Sequence, residues 1–522
     1  MASGPENSPR SDANQSQEAV LRFLADPRTH GLTGPVERID TAAAIVFLAG
    51  ADAYKVKRAV KFPFMDLSTL EKRREACEAE IAVNRDAAPQ IYLAALPITR
   101  QGAAFALGGG GEIVEWVAHM RRFDENATLD RIADRDGVAD AVIDKLALAI
   151  RRSHARAPRR DAGRAAHALE TYIEQNRAAF AQRPDVFDPA KARRLTQESR
   201  LAFAVARPVL LKRGAAGFVR RCHGDLHLSN IVLIEGEPTL FDAIEFSDEI
   251  ASGDVLYDLA FLLMDLEQRG LRAAANRLVN RYLAPEPAEA LTGLAGLPLF
   301  LSLRAAIRAK VEAAGAERLK SEKQDEARAL ARRYFDRAAE FLAYVPPRLV
   351  AVGGLSGVGK SALARELAPE IGRAPGALWL RSDVERKAKF AVEETDRLPA
   401  SAYSSDATRD VYRRLMDKAG VALRAGQAVL LDATFATAAE REAAAHAAAE
   451  IGVRFAGLFL DAPLATRLER VSSRRDDASD ADVDVARRQK ADPLVERGWV
   501  QVSASGSLSE TTVLARAWLG GA

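Results

Sequence analysis

Two stretches of the chain hold residue types suited to moving a phosphoryl group. In HGDLHLSN (223–230), Asp225 stands two places after His223 and Asn230 five places after Asp225. A carboxylate on a tight loop can take the proton of an attacking hydroxyl, and an amide oxygen at that offset can help hold Mg2+. Asp242 follows twelve places after Asn230, at the end of the segment VLIEGEPTLFD, where a strand beside the loop would present a second Mg2+ ligand. His223 and His227 flank the base and are expected to bond the loop backbone rather than to carry protons.

The second stretch, Gly354-Leu355-Ser356-Gly357-Val358-Gly359-Lys360-Ser361, has the spacing G-x-x-x-x-G-K-[ST] between an apolar run and a helical pattern. Such glycines let consecutive backbone N–H groups curl around phosphate oxygens, and the helix N-terminus adds positive potential. Lys360 would reach the β- and γ-phosphates and Ser361 would bind Mg2+. Asp383, after the next apolar run, is a candidate base, with a helix cap as its ordinary alternative. Arg386 is a candidate clamp for an anionic acceptor. Asp432, ending VLLD, stands where a carboxylate organises Mg2+ and its waters. Arg467, Arg470, Arg474 and Arg475 precede the acidic segment 476–484, and Arg474 is the candidate cover residue over the phosphates.

The elements that must position these groups follow from pattern. TAAAIVFLAG and YKVKRAVKF read as a β-hairpin, followed by a long helix over 67–88. Lys55 on that hairpin could neutralise nucleotide phosphates, held by Glu80 of the helix, but Lys57 points to the same face and the choice stays open. A second hairpin is expected to turn on Gly108 to Gly111. The chain is then helical until HGDLHLSN, and from Arg348 onward strands alternate with helices as in a parallel, doubly wound sheet. Pro346-Pro347 marks the boundary, giving a tail over 1–17, one domain over 18–345 and another over 346–522.

Composition narrows the class. The 522 residues carry 74 Lys plus Arg against 72 Asp plus Glu, so a net charge of +2 argues against a long nucleic-acid-binding stripe. Two cysteines, Cys77 and Cys222, cannot make a disulfide framework, which fits a reducing compartment. Residues 1–17 are polar and read as a disordered tail. The apolar run 291–307 contains two Gly, a Pro and an Arg and reads as a broken buried helix pair. A cytoplasmic protein is expected.

On these motifs the first half resembles the aminoglycoside phosphotransferase and choline-kinase family, whose loop reads HGDLHxxN. It departs from protein kinases in having Gly224 where they have Arg and Asp-Ala-Ile where they have Asp-Phe-Gly. The second half resembles small P-loop kinases of the zeta-toxin, polynucleotide-kinase and gluconate-kinase groups, which place an Asp and an Arg three residues on after the second strand, as Asp383 and Arg386 stand here. The pairing resembles bacterial bifunctional proteins that join the two. The resemblance implies an α+β, bilobal kinase-like domain followed by an α/β P-loop kinase domain. It also implies two ATP-Mg2+ sites and small-molecule hydroxyl acceptors. Two alternatives remain open at this point: a regulatory ATP-binding protein with one silent half, and a nucleic-acid 5′-end kinase in the second half.

Overall fold

The computed structural model describes residues 10–62, 65–394, 396–473 and 479–521. The chain divides into two compact units. The first comprises the residues up to Val138 with Arg152–Pro158 and Arg220–Gly253; the second comprises Ala139–Arg151, Arg159–Val219 and Asp254 onward.

The first unit is built on a six-stranded antiparallel sheet in the order Glu37–Asp40, Ala44–Ala49, Asp52–Lys57, Glu112–Arg121, Tyr92–Gln101, Ala104–Leu107. The expected hairpin is present, with Ala49 opposite Asp52 across a Gly50-Ala51 turn. Period-two alternation sends Tyr54 and Val56 into an apolar cluster with Val20, Leu24 and Phe47, and so turns Lys55 and Lys57 to the opposite face. The helix Leu70–Asn84 starts at Thr69, whose Oγ1 accepts from the Lys72 N–H at 3.3 Å. Its buried face carries Arg73, Cys77, Glu80, Ile81 and Asn84, an unusually polar set for a core face.

Two expectations are corrected here. Gly108 to Gly111 do not turn a hairpin: Ala104–Leu107 and Glu112–Arg121 pair with opposite edges of Tyr92–Gln101, so the glycines carry the chain across the end of that strand. The hairpin turn proper is Gly102-Ala103, two residues between Gln101 and Ala104. The expected tail is also too long, because a helix spans Arg10–Ala25. Gln17 is buried and donates to the Lys57 carbonyl at 2.8 Å and to Glu115 Oε2 at 2.9 Å.

The second unit joins a helical array to a five-stranded parallel sheet ordered Leu378–Arg381, Val429–Asp432, Arg348–Gly353, Arg454–Asp461, Trp499–Ser503. Its core packs Val350, Val352, Leu430 and Leu458 against Leu363 and Leu367 of the helix Lys360–Leu367. In the helical array Asp254 caps Val255–Gln268 and takes both arms of Arg213 at 2.6 and 2.9 Å. The apolar run 291–307 is the broken pair expected: a 3-10 segment Ala288–Ala295 and a helix Leu297–Ala316 bent by 50°. Among the described residues no single helix is long and apolar enough to cross a membrane.

Pro346-Pro347 separates two folds but falls inside this second unit. One of the contacts that join them is made at the edge strand Leu378–Arg381. Its free side is met by two asparagines one helical turn apart on Arg272–Leu283. Asn280 Oδ1 accepts from the Trp379 N–H at 2.7 Å, while Asn276 and Asn280 both donate to the Ala377 carbonyl at 3.0 and 3.1 Å. Two side chains thus stand in for a sixth strand and shield the edge.

Candidate active sites

In the first unit, the loop and the strand end beside it are laced together by backbone. Phe241 N–H donates to the Asn230 carbonyl at 3.0 Å and Ile244 N–H to the His223 carbonyl at 3.0 Å. His223 Nε2 bonds the Phe241 carbonyl at 2.9 Å, the structural role expected of it. Gly224 sits at φ 83°, where a Cβ would stand 3.1 Å from Ala251 and from Ile244, so the loop admits only glycine there. Asn230 Nδ2 donates to the Asp225 carbonyl at 2.9 Å and to Asp225 Oδ2 at 3.1 Å, which turns the carboxylate while leaving the amide oxygen for another partner.

Lys55 Nζ bridges Glu80 Oε1 and Asp242 Oδ1, each at 2.7 Å. Lys57 Nζ reaches the other Glu80 oxygen at 2.7 Å and also binds Glu245. The two lysines therefore share one buried acid but diverge beyond it, and only Lys55 is tied to Asp242. Burial opposes the charge of Lys55, yet Asp242 and Glu80 outweigh it and raise its pKa well above the ordinary lysine value. Burial likewise opposes the charge of Glu80, and the two lysines hold its carboxyl below the ordinary range. The side chains of Asp225 and Asp242 are 41% and 44% exposed while that of Glu80 is fully buried, so only the aspartates are open to solvent. Carboxylate and amide oxygens at Asp242 and Asn230 are hard donors that fit Mg2+.

In the second unit, the P-loop leaves the C-terminal end of the central strand Arg348–Gly353, where doubly wound sheets bind ligands. Gly357 at φ 87° lies against the Arg467 carbonyl, and a Cβ would come within 2.3 Å of that oxygen. Arg467 donates to the carbonyls of Ser356 at 3.1 Å and Ala486 at 2.7 Å, and Arg470 to those of Val358 at 3.2 Å and Ala504 at 2.9 Å. Arg467 thus braces the loop, and Arg470 also lines the cavity. Arg474 and Arg475 lie outside the described residues.

Ser361 Oγ donates to Asp432 Oδ2 at 2.7 Å, bringing hydroxyl and carboxylate to one point at the strand ends. A cavity of about 540 Å3 is lined by Lys360, Ser361, Asp383, Arg386, Tyr403 and Asp480 among others. Asp383 is the second residue of the helix Ser382–Lys389, whose cap position is Arg381, so it is not the cap. Loss of water around Asp383 and the neighbouring Asp432 raise its carboxyl above the ordinary value, against the pull of Lys360 and Arg381. Arg386 is buried, donates to the Ala402 carbonyl at 2.7 Å and lies over the Tyr403 ring at 4.8 Å.

The geometry adds residues that sequence reasoning missed. Tyr92 Oη accepts from the Asp242 N–H at 2.9 Å, holding that residue at φ 58°. Gln489 Oε1 accepts from the Ser356 N–H at 2.8 Å, engaging a donor of the P-loop itself. Asp480 takes bonds from Lys387 at 2.7 Å, Tyr403 at 2.6 Å and the Leu398 N–H at 3.0 Å, fastening it to the cavity wall that Tyr403 lines. Asn84 was missed as well: its Oδ1 accepts from the Ala243 N–H at 2.8 Å, and its place one turn after Glu80 on the same helix face is a signal that periodicity could read.

Residues 46–297 match the phosphotransferase enzyme family and residues 349–493 match the AAA domain family. An uncharacterised protein of Mycobacterium tuberculosis (strain H37Rv) is 30% identical over 454 residues, 86% of this chain and 88% of that protein. Among solved structures, a choline/ethanolamine kinase family protein from Mesorhizobium loti is 18% identical, with a TM-score of 0.35, over 63% of this chain and 98% of the other. A gluconokinase from Sinorhizobium meliloti 1021 is 20% identical, with a TM-score of 0.25, over 34% of this chain and 97% of the other.

Proposed function

Because the chain belongs to the same family as this mycobacterial protein, with a phosphotransferase domain joined to a P-loop domain, we propose that it phosphorylates small-molecule hydroxyl groups at two separate ATP-Mg2+ sites. The observation that carries the reading is the P-loop cavity, which exposes a candidate base with a raised pKa, Asp383, beside Lys360 and Ser361. A base and phosphate-binding groups in one cavity, with the metal-suited oxygen pair of Ser361 and Asp432 at its edge, are what transfer to a hydroxyl requires.

In this site the P-loop N–H groups and Lys360 bind and orient the phosphates. Asp383 receives the acceptor hydroxyl's proton, and Arg386 with Tyr403 shapes the acceptor side. Ser361 and Asp432 would hold Mg2+. In the first unit Asp225 takes the hydroxyl proton, oriented by Asn230, and Lys55 positions phosphate oxygens while braced by Glu80. Asn230 and Asp242 would hold Mg2+ there. When bound, ATP-Mg2+ supplies the phosphoryl group and neutralises the charge that develops on it.

The test counts nucleotide by calorimetry in wild type, Asp242→Ala, Lys360→Ala and the double variant. Phosphate transfer from labelled ATP to metabolite, aminoglycoside and oligonucleotide acceptors is then assayed in each. Two sites falling to one in each single variant and to none in the double is the expected result. A single wild-type site abolished by Lys360→Ala alone would show that HGDLHLSN keeps the form of a catalytic loop without its function, and salt-sensitive transfer to oligonucleotides would replace the small-molecule acceptor in the second site.

A further inference from the structure

A second cavity in the second unit, of about 500 Å3, is walled by the helices Arg272–Leu283 and Lys360–Leu367 and the edge strand Leu378–Arg381, and shares no lining residue with the P-loop cavity. Its size suits a ligand of nucleotide dimensions. Five arginines and five carboxylates line it, but their pairing is unequal.

The carboxylates are largely spoken for. Glu394 is gripped by Arg281 at 2.6 and 2.7 Å, and Asp140 by Arg277 at 2.9 Å. Glu370 is held by Arg516 at 2.9 Å, and Glu385 by Lys418. The cations Arg272 and Arg365 are paired far more loosely with acids: their carboxylate partners stand 3.9 and 3.6 Å away, at Glu267 and Asp140, and Arg272 also donates through Nη2 to the Gly372 carbonyl at 3.2 Å. Two buried donors of residues that line it, Trp379 Nε1 on the edge strand and Arg272 Nε on the helix, have no hydrogen-bond acceptor among the described residues. Buried N–H groups without acceptors are rare in folded proteins, and two of them on residues that line a cavity, beside arginines loosely paired with acids, favour a ligand rich in oxygen atoms.

We propose that this cavity binds a phosphate-bearing small molecule, its phosphate paired with Arg272 and Arg365 and an acceptor atom of its remaining part against the Trp379 indole N–H. The site is felt at the P-loop through Arg381. That guanidinium lies 5.1 Å from the Trp379 ring centroid, and its nitrogens approach Ser361 Oγ at 3.4 Å and Asp432 Oδ2 at 3.6 Å. A ligand that reorders Trp379 therefore acts on the pair suited to Mg2+, as an effector rather than an acceptor.

The full-length protein, with the P-loop saturated by a non-hydrolysable ATP analogue and Mg2+, is titrated with inorganic phosphate and, separately, with UMP, whose ring carbonyls can accept from the indole. Binding is read by calorimetry and tryptophan fluorescence. The expected result is saturable binding weakened at least tenfold by Arg365→Glu, a half-exposed position whose substitution leaves the fold intact, and a fluorescence change lost in Trp379→Phe. UMP binding tighter than phosphate assigns the ligand to nucleotides; equal binding assigns it to the free anion. Neither probe binding, or binding indifferent to Arg365→Glu, overturns the proposal. Because the readout is binding with the P-loop already filled, its failure is separate from any failure of the phosphotransferase reading.

Discussion

Ser361 Oγ donates to Asp432 Oδ2 at 2.7 Å, so the last residue of the P-loop and the end of the neighbouring strand act as one oxygen pair. Asp432 is buried, and the bond fixes the hydroxyl's orientation before any ligand arrives. Asp432→Asn keeps an acceptor for Ser361 but removes the charge. The Mg2+ concentration for half-maximal nucleotide binding should rise by about 10–100-fold, with metal-free binding unchanged. Calorimetric titration of Mg2+ at fixed nucleotide reads this directly, and an unaltered midpoint would place the metal elsewhere.

If Asp383 is the base proposed above, its raised pKa ties turnover to stability. As a base it must be ionised, so second-site turnover should fall as pH drops through its folded pKa, which lies above the ordinary aspartate value. Asp383→Asn should lower that turnover by about 10²–10⁴-fold while sparing nucleotide affinity. The stability effect has the opposite sign. A raised folded pKa favours the protonated form, so its contribution is present below the unfolded pKa and lost as pH rises through the folded one. Asp383→Asn should therefore raise the melting temperature at neutral pH relative to wild type, and the gain should shrink near pH 4, set by the ordinary carboxyl value.

Short contiguous motifs were legible because the chemistry itself dictates their spacing. HGDLHLSN, the P-loop and the strand-end aspartates could be read before any fold was known, and so could the hairpin that turns Lys55 inward. What could not be read depends on partners distant in sequence. Tyr92 matters through the Asp242 backbone and Gln489 through Ser356 N–H, and neither leaves a periodic trace. The choice between Lys55 and Lys57 is invisible in a strand, because both share a face; only Asp242 and Glu245 beyond Glu80 separate them. Gly108 to Gly111 misled because a glycine run marks a reversal without saying which strand lies between its flanks.

Lys55 and Lys57 should differ in what they lose. The Lys57, Glu80 and Glu245 side chains are only 4%, 0% and 8% exposed. Lys57→Met leaves Glu245 without its lysine and removes one of the two that neutralise Glu80, so it should cost about 3–5 kcal/mol of stability in the first unit. Lys55→Met leaves Glu80 with Lys57 and Asp242 in contact with solvent, so the fold should suffer less while first-site nucleotide affinity falls. The comparison needs urea unfolding and calorimetry on both variants. Equal losses in both measurements would mean that the lysines are interchangeable.

The asparagine cap on the edge strand predicts that the P-loop fold depends on residues before Pro346. Asn280→Leu keeps volume but leaves the Trp379 N–H, bonded at 2.7 Å in the wild type, without its acceptor. A buried donor stranded in this way costs about 1–3 kcal/mol. Ala377 keeps one of its two donors, Asn276, so the loss should fall near one unpaired group rather than two. A fragment beginning at residue 346 removes both asparagines and bares the edge of the sheet, so it should unfold at lower urea than a fragment beginning at Asp254, and associate through the exposed strand as concentration rises. Sedimentation and urea titration of the two fragments decide the matter. If the shorter fragment is monomeric and as stable as the longer one, Asn276 and Asn280 merely touch the sheet and the boundary at Pro346-Pro347 separates units that fold independently.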